Sequence, residues 1–434
     1  MKRLLMSAAL VVAAIGAAAY ACLARPEAPA GTAPVVYGAP AEASRIQRGQ
    51  YLAKAADCIA CHTVAGGKPF AGGLAFQLPF GTLYSSNITA DKTTGIGNWS
   101  DDDFVRALHE GVRKDGQHLY PAFPYTSYTQ LSRDDVLAIK AYLFSLPTVT
   151  QETRKPELSF PFNQRWAMGF WNAAFFRSER FKPAPDKSAQ WNTGAYLAIA
   201  LAHCTECHTP RNIGFALNQA RELSGADVNG WHAPNITSDP VHGIGAWTDA
   251  QLYQYLRSGH ADGRGSAGGP MGEAVENSLQ YLDPKDIQAI MSYLRGVAPQ
   301  VGDKPTSINA RPPAVTTSMA YSPSPQTPSH LQAGLKLFEA SCASCHQWNG
   351  QGPQTPYAAL LGARSVNDRS GQNVVQTILH GARMRIGEHE VFMPAFAAAL
   401  TDDEVAQLSN YVIFQFGGKQ GTVTADMVAR QRPH

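Results

Sequence analysis

Cys204-Thr205-Glu206-Cys207-His208 has the form C-x-x-C-H. In that pattern two thiols can form thioethers with the vinyl groups of a haem, and the adjacent histidine can meet the iron. The pattern recurs at Cys58-Ile59-Ala60-Cys61-His62 and at Cys342-Ala343-Ser344-Cys345-His346, so six of the seven cysteines stand in it. A zinc site would need four ligands, usually from a second C-x-x-C or a histidine pair at set spacing, and each pair here stands alone. A thioredoxin-like site needs a βαβ setting that the flanks do not offer. Disulfides in an exported chain would leave the histidine after every second cysteine unexplained, three times out of three. The sequence therefore predicts three covalently bound haems c, with His62, His208 and His346 as proximal iron ligands.

Around these motifs the chain has 434 residues, room for about three domains of ~100–200 residues. The net charge of +2 lacks the basic excess of a nucleic-acid footprint. Lys2 and Arg3 precede an apolar run from Leu4 to Leu23, an n-region and h-region. Ala19-Tyr20-Ala21 fits a small-x-small cleavage site, which would leave Cys22 first; retention of 1–24 as an anchor and lipidation of Cys22 are the other two outcomes. All three export the rest of the chain, and haem attachment to C-x-x-C-H also takes place outside the cytoplasm. Both signals point to the periplasmic face of a bacterial inner membrane. Residues 25–42 are rich in Ala, Pro and Gly and read as a tether.

The motifs sit inside repeats. Gly49, Gly194 and Gly334 each stand in a short helix leading into a C-x-x-C-H, where a glycine costs about 1 kcal/mol against alanine and implies close approach of another helix. The partner helices are read at Val136–Leu146, Ile287–Arg295 and Val405–Phe416. Ser132, Asp283 and Thr401 stand as their N-caps, with Asp135, Asp286 and Glu404 three positions on. Tyr142, Tyr293 and Tyr411 recur in these helices and are expected to pack over the glycines. The first two copies also share Asn87-Ile88-Thr89 with Asn235-Ile236-Thr237, and Gly95-Ile96-Gly97 and Trp99 with Gly243-Ile244-Gly245 and Trp247. A capped helix follows each, from Ser100 and from Thr248, the latter with Gln251 completing a capping box.

These blocks, with Tyr120-Pro121-Ala122-Phe123-Pro124-Tyr125, Phe160-Pro161-Phe162-Asn163 and Trp171-Asn172, resemble the triple-haem cytochrome c subunits of membrane-associated bacterial dehydrogenases. Those subunits accompany quinoprotein alcohol dehydrogenases, flavin-dependent gluconate or sorbitol dehydrogenases, and molybdenum hydroxylases of the aldehyde, nicotinate and isoquinoline type. The resemblance implies an all-α chain of three tandem class I cytochrome c domains without hydride chemistry of its own. The expected division is 43–150, 189–299 and 330–420 for the domains. Residues 151–188 and 300–329 are linkers, and 421–434 is a tail.

A class I cytochrome c places a methionine sulfur opposite the histidine. Met393, before Pro394, and Met271, after Gly268-Gly269-Pro270, occupy that place in the third and second copies. Met384 is read as core. The first copy departs from the pattern: Phe123 stands where the methionine belongs, and no methionine occurs between His62 and Met168. The first haem is then either bis-histidine, through His118, or five-coordinate. Phenylalanine here looks more like the molybdenum-hydroxylase subfamily. Trp166, Phe170, Trp171, Phe175 and Phe176 crowd a predicted helix in the first linker, which must bury itself between domains, on a partner subunit or on the membrane surface. Residues 300–329 read as an extended connector.

The expected role is an electron-transfer subunit. It takes single electrons from a catalytic dehydrogenase subunit and passes them to ubiquinone or a terminal oxidase. The alternative is a peroxidase-like haem enzyme working at an open first iron. No nucleotide fingerprint or phosphate loop occurs in the required context.

Overall fold

The computed structural model describes residues 33–40, 43–302 and 327–432. The expected export segment, about half of the tether and most of the second connector lie outside them. In chain order the first lobe comprises α1 (Arg45–Ala55), α2 (Cys58–His62), β1 (Ala75–Leu78), β2 (Gly81–Tyr84), α3 (Asp101–Glu110) and α4 (Arg133–Ser145). The linker adds β3 (Glu157–Leu158) and α5 (Met168–Phe175). The second lobe runs through α6 (Ala189–Ala195), α7 (Cys204–His208), β4 (Ala226–Val228), β5 (Trp231–Ala233), α8 (Asp249–Ser258), β6 (His260–Ala261), β7 (Gly265–Ser266), α9 (Gly269–Asn277) and α10 (Pro284–Gly296). The third has α11 (Gln332–Ser341), α12 (Ala343–His346), α13 (Gln372–His380), β8 (Ala382–Ile386), β9 (His389–Met393) and α14 (Asp402–Gly417). Helices dominate; the strands, which an all-α reading passes over, pair locally and antiparallel, and β3 of the linker adds to β2.

Each lobe is built on a crossed helix pair: α1 with α4, α6 with α10, α11 with α14. The glycines explain the closeness of the crossings. A Cβ on Gly49 would lie 1.8 Å from the Ala138 carbonyl oxygen, on Gly194 1.8 Å from that of Ala289, and on Gly334 2.3 Å from that of Gln407. The expectation of aromatic rings over these glycines needs correction. Tyr142 and Tyr411 come nearest through Cβ, at 3.0 and 2.7 Å, and Tyr293 instead meets Trp191 edge-on. What each glycine admits is the backbone of the opposite helix.

The partner helices start a turn earlier than their apolar periodicity shows, because the polar first turn carries no hydrophobic signal. Ser132, Asp283 and Thr401 do cap them. Of the three, only Thr401 closes a capping box, with Glu404. Asp135 and Asp286 are fully buried and turn to distant partners instead. Asp135 accepts from Arg48 Nε at 2.9 Å, and Asp286 accepts from the Tyr37 and Gly38 amides at 2.9 and 2.8 Å.

One continuous apolar core runs through the first two lobes, from Leu52, Val136 and Leu143 to Leu197, Ile287 and Leu294. The third lobe has its own, around Phe338, Val405, Tyr411 and Phe416. Among the described residues no helix is long and apolar enough to cross a membrane.

The aromatic linker divides its faces. Met168 and Phe176 are buried, and Trp171 Nε1 donates to the Gly214 carbonyl at 2.6 Å, so its inner side staples the first two lobes together. Trp166 and Phe170 point outward, 67% and 68% exposed, beside Phe160, Phe162, Phe175 and Phe215. Phe80 of the β1–β2 turn stacks on Phe162 and meets Phe215 edge-on, and Trp166 meets Phe170 edge-on, so the outer aromatic strip of the linker contains two separate ring clusters.

Candidate haem sites

Asp57 and His203 adopt left-handed backbone, φ 49° and 39°, immediately before α2 and α7, and so turn each chain sharply into its motif. The six motif cysteines are free thiols. Burial pushes the thiols of Cys58, Cys61 and Cys204 up to about 12, and those of Cys207 and Cys342 to about 11. Surroundings of this kind oppose a thiolate, the form that zinc requires, and suit a neutral thioether.

The histidines share one arrangement. His62 Nδ1 lies 2.7 Å from the Ser86 carbonyl oxygen, His208 Nδ1 2.6 Å from that of Pro234, and His346 Nδ1 2.6 Å from that of Ala358. A carbonyl only accepts, so Nδ1 carries the proton and Nε2 presents its lone pair. Burial lowers the pKa of all three, that of His208 to about 4, which keeps the rings neutral. Neutral imidazole with Nε2 free is the form that binds iron. The residues present therefore fit a covalently held haem at each motif.

In the first two lobes the shared sequence blocks hold the Ser86 and Pro234 carbonyls in place. Asn87 follows Ser86, and its Oδ1 accepts from the Thr89 amide and hydroxyl at 3.0 and 2.8 Å. Asn235 follows Pro234 and does the same with Thr237, at 2.8 and 2.7 Å. The Ile96 and Ile244 amides bond back to the Thr89 and Thr237 carbonyls at 2.9 Å. Cβ atoms on Gly95 and Gly243 would each come within 2.3 Å of those same carbonyl oxygens. Asn-Ile-Thr and Gly-Ile-Gly thus make one knot beside His62 and another beside His208.

Met271 lies near the start of α9, partly buried against the shared core. Met393 ends β9, paired with Ala382, and Pro394 leads away from it. Met384, one strand over, is 3% exposed and packs in the core of the first two lobes, as expected of a core methionine. Phe123 meets the ring of Tyr128 at 5.5 Å. His118 faces the linker: its Nδ1 is 3.3 Å from Asn172 Nδ2, and a Cβ on Gly169 would touch its Nε2 at 3.4 Å.

Several contributors carry no sequence signal. The distal segment of each of the first two lobes lies against the attachment helix of the other. Thr126 and Ser127 donate to Glu206 at 2.7 and 3.2 Å, inside the second motif. Tyr128 donates to the Ala56 carbonyl at 3.1 Å and packs on His203. Reciprocally α9 packs on α2, and Ser278 donates to the Ala55 carbonyl at 3.3 Å. The third lobe docks on the second through two segments that follow its own motif. Tyr357, next to Ala358, donates to the Ser258 carbonyl at 2.7 Å, and Met384 enters between Gly259 and Gly272. His109, in the middle of α3, is buried, with burial pushing it down to about 3. It holds the place that Arg257 has in the second lobe.

The cytochrome c family model matches residues 46–147 and 331–413. The fructose dehydrogenase cytochrome subunit of Gluconobacter japonicus is 42% identical over 409 residues, covering 91% of this chain and 84% of that one. A nicotinate dehydrogenase subunit of Pseudomonas putida is 40% identical over 381 residues, 86% of this chain and 30% of that longer one. The cytochrome c subunit of the quinone-type alcohol dehydrogenase of Gluconacetobacter polyoxogenes is 34% identical over 415 residues, covering 90% and 85%.

Proposed function

The chain belongs to the family of cytochrome c subunits of bacterial dehydrogenases, and we propose that it relays single electrons from a catalytic dehydrogenase subunit to the respiratory chain. Three covalent haems c are the carriers, one in each of three cytochrome c domains at 43–150, 189–299 and 330–420. The observation that carries this reading is the threefold pairing of a C-x-x-C-H histidine, through Nδ1, with a backbone carbonyl. When bound, haem iron supplies reversible one-electron exchange; the protein sets its spacing, potential and access. His62, His208 and His346 would hold the iron of these haems, and Met271 and Met393 would add a thioether sulfur as a further ligand. The first two lobes share a core, which fixes the spacing of their sites.

Residues 1–24 direct export, and the relay works at the periplasmic face, with ubiquinone or a terminal oxidase as acceptor. The outer aromatic strip rests on the lipid surface. Residues 158–178 contain no acidic side chain but include Arg165 and Arg177, a balance suited to anionic headgroups. For the partner, Phe123 speaks for a molybdenum hydroxylase of the nicotinate or aldehyde type. Reconstitution decides the function: the catalytic partner should lose reduction of its quinone acceptor without this subunit. Undiminished quinone reduction would refute the relay.

Phe123 also favours a second reading, a peroxidase-like reaction at an open first iron, unless His118 swings from Asn172 to close it. Carbon monoxide added to the reduced protein discriminates. A Soret change of one haem in three marks an open or labile site, and no change marks a firmly six-coordinate relay.

A further inference from the structure

Two buried N–H donors beside the second motif have no partner among the described residues. Trp247 is 4% exposed, and its Nε1 is sealed and unbonded. Arg364, from the third lobe, has its Nε in the same state. The two are neighbours, with the Arg364 guanidinium carbon 5.6 Å from the centre of the Trp247 ring and that of Arg264 5.3 Å from it. Leaving a buried donor unsatisfied costs about 1–3 kcal/mol, so a pair of them at one spot calls for an acceptor from outside the chain.

The location says which acceptor. Arg364 Nη2 donates to the Asn235 and His242 carbonyls at 3.0 and 3.2 Å. Asn235 is the residue after Pro234, whose carbonyl orients His208. Burial lowers Arg364 to about 10, so it remains a cation at neutral pH. A cationic fork and an indole N–H that are neighbours beside a haem-attachment motif, each with a buried donor unbonded, match a carboxylate. A porphyrin carries carboxylates on its propionate arms.

The third lobe is fitted closely enough to deliver this side chain. A Cβ on Gly362 would lie 2.4 Å from the Gly263 carbonyl oxygen, and one on Gly265 2.6 Å from Ala363 Cβ. The corresponding place in the first lobe is different. There Trp99, Arg113, Lys114 and Asp115 line an open cavity of about 420 Å³, and all four come from that lobe itself.

We propose that Arg364 is a positioning residue of the second haem site: with the Trp247 indole it receives one porphyrin carboxylate of the haem held at Cys204 and Cys207. The second site is then complete only when the third lobe is docked. This rests on the reading that Cys204 and Cys207 hold a haem c.

The test is a redox titration of the full-length holoprotein, with haem counted by the pyridine haemochrome method. Arg364→Gln removes a cation beside the porphyrin, which favours ferric iron. One of three midpoint potentials should fall while the other two hold, and Arg364→Lys should recover part of the shift. Trp247→Phe, which removes only the indole donor and keeps the ring's bulk, should move the same component. Three unmoved potentials, or R364Q and W247F acting on different components, would overturn the proposal; if R364Q does not fold, R364K and W247F decide by the same criterion. Fewer than three haem equivalents in the unsubstituted protein would instead strike the underlying haem assignment.

Discussion

The hydroxyl of Tyr51, in the first lobe, donates to Asp286 Oδ2 of the second at 2.6 Å, and the hydroxyl of Tyr196, in the second, donates to Asp135 Oδ2 of the first at the same distance. Each tyrosine oxygen also accepts a backbone amide, from Asp283 at 2.8 Å and from Ser132 at 3.0 Å. The two lobes therefore grip one another by a crossed, twofold-like exchange. It accounts for Asp135 and Asp286 leaving their own helix N-termini. Tyr51→Phe takes the tyrosine donor from the buried Asp286 carboxylate, which keeps the Tyr37 and Gly38 amides, and leaves the Asp283 amide without its acceptor, at a cost of about 1–3 kcal/mol. Calorimetry should show the transition of the first two lobes lowered by a few degrees. A separate transition of the third lobe, which has its own core, should stay in place.

Met384→Ala should loosen the third lobe from the second. The side chain fills the space beside Gly259, where a built Cβ would come 2.8 Å from its sulfur. In the first lobe the corresponding Gly111 faces the ring of Tyr125, so a local side chain does there what Met384 does from a distance. Truncation leaves a cavity at the seam worth about 2–5 kcal/mol. Unfolding followed at the Soret band should become less cooperative between the two lobes, whereas Met427→Ala, in the C-terminal tail, should leave that coupling intact.

The stability of the first lobe should fall in acid for a reason traceable to His109. Burial holds its folded pKa at about 3 against 6.5 in the unfolded chain, with Arg180 adding to the drop. Between those values the unfolded chain binds the extra proton and the folded one does not, so stability decreases as pH falls through 6.5. His109→Gln removes this share. Unfolding midpoints measured between pH 4.5 and 7.5 should show a shallower acid slope in the variant; parallel slopes would exclude His109 as the source.

The outer aromatic strip should bind vesicles. Trp166→Ser with Phe170→Ser removes two rings from it and leaves the buried Met168 and Phe176 untouched. Each ring contributes roughly 1.5–3 kcal/mol when fully buried, so even partial insertion predicts more than about a tenfold loss. Co-sedimentation with phosphatidylglycerol and phosphatidylethanolamine vesicles measures it. Equal sedimentation of the variant and the unsubstituted protein would assign the strip another partner.

What the sequence disclosed is what local geometry imposes. Asn87 and Thr89 act within three residues, Gly49 signals its own close contact, and Thr401 with Glu404 makes a box within one turn. These features leave the same mark wherever they occur. The crossed pairs do not, because Tyr51 and Asp286 are 235 residues apart and each looks ordinary in its own helix. Asp135 reads as a capping carboxylate until a tyrosine from another lobe is placed beside it. Arg364 and Glu206 read as solvated charges for the same reason. The outward half of the linker was visible as an excess of aromatic residues, but which rings turn inward depends on loops that the linker's own sequence does not contain.

The reciprocal seating of α2 and α7 against the opposite lobe makes the first two lobes interdependent. Neither attachment helix is finished by its own lobe: Ser278 reaches the Ala55 carbonyl just before α2, and Thr126 and Ser127 reach Glu206 inside α7. A disturbance at either motif is therefore passed to the neighbouring lobe, and the two behave as one inseparable pair.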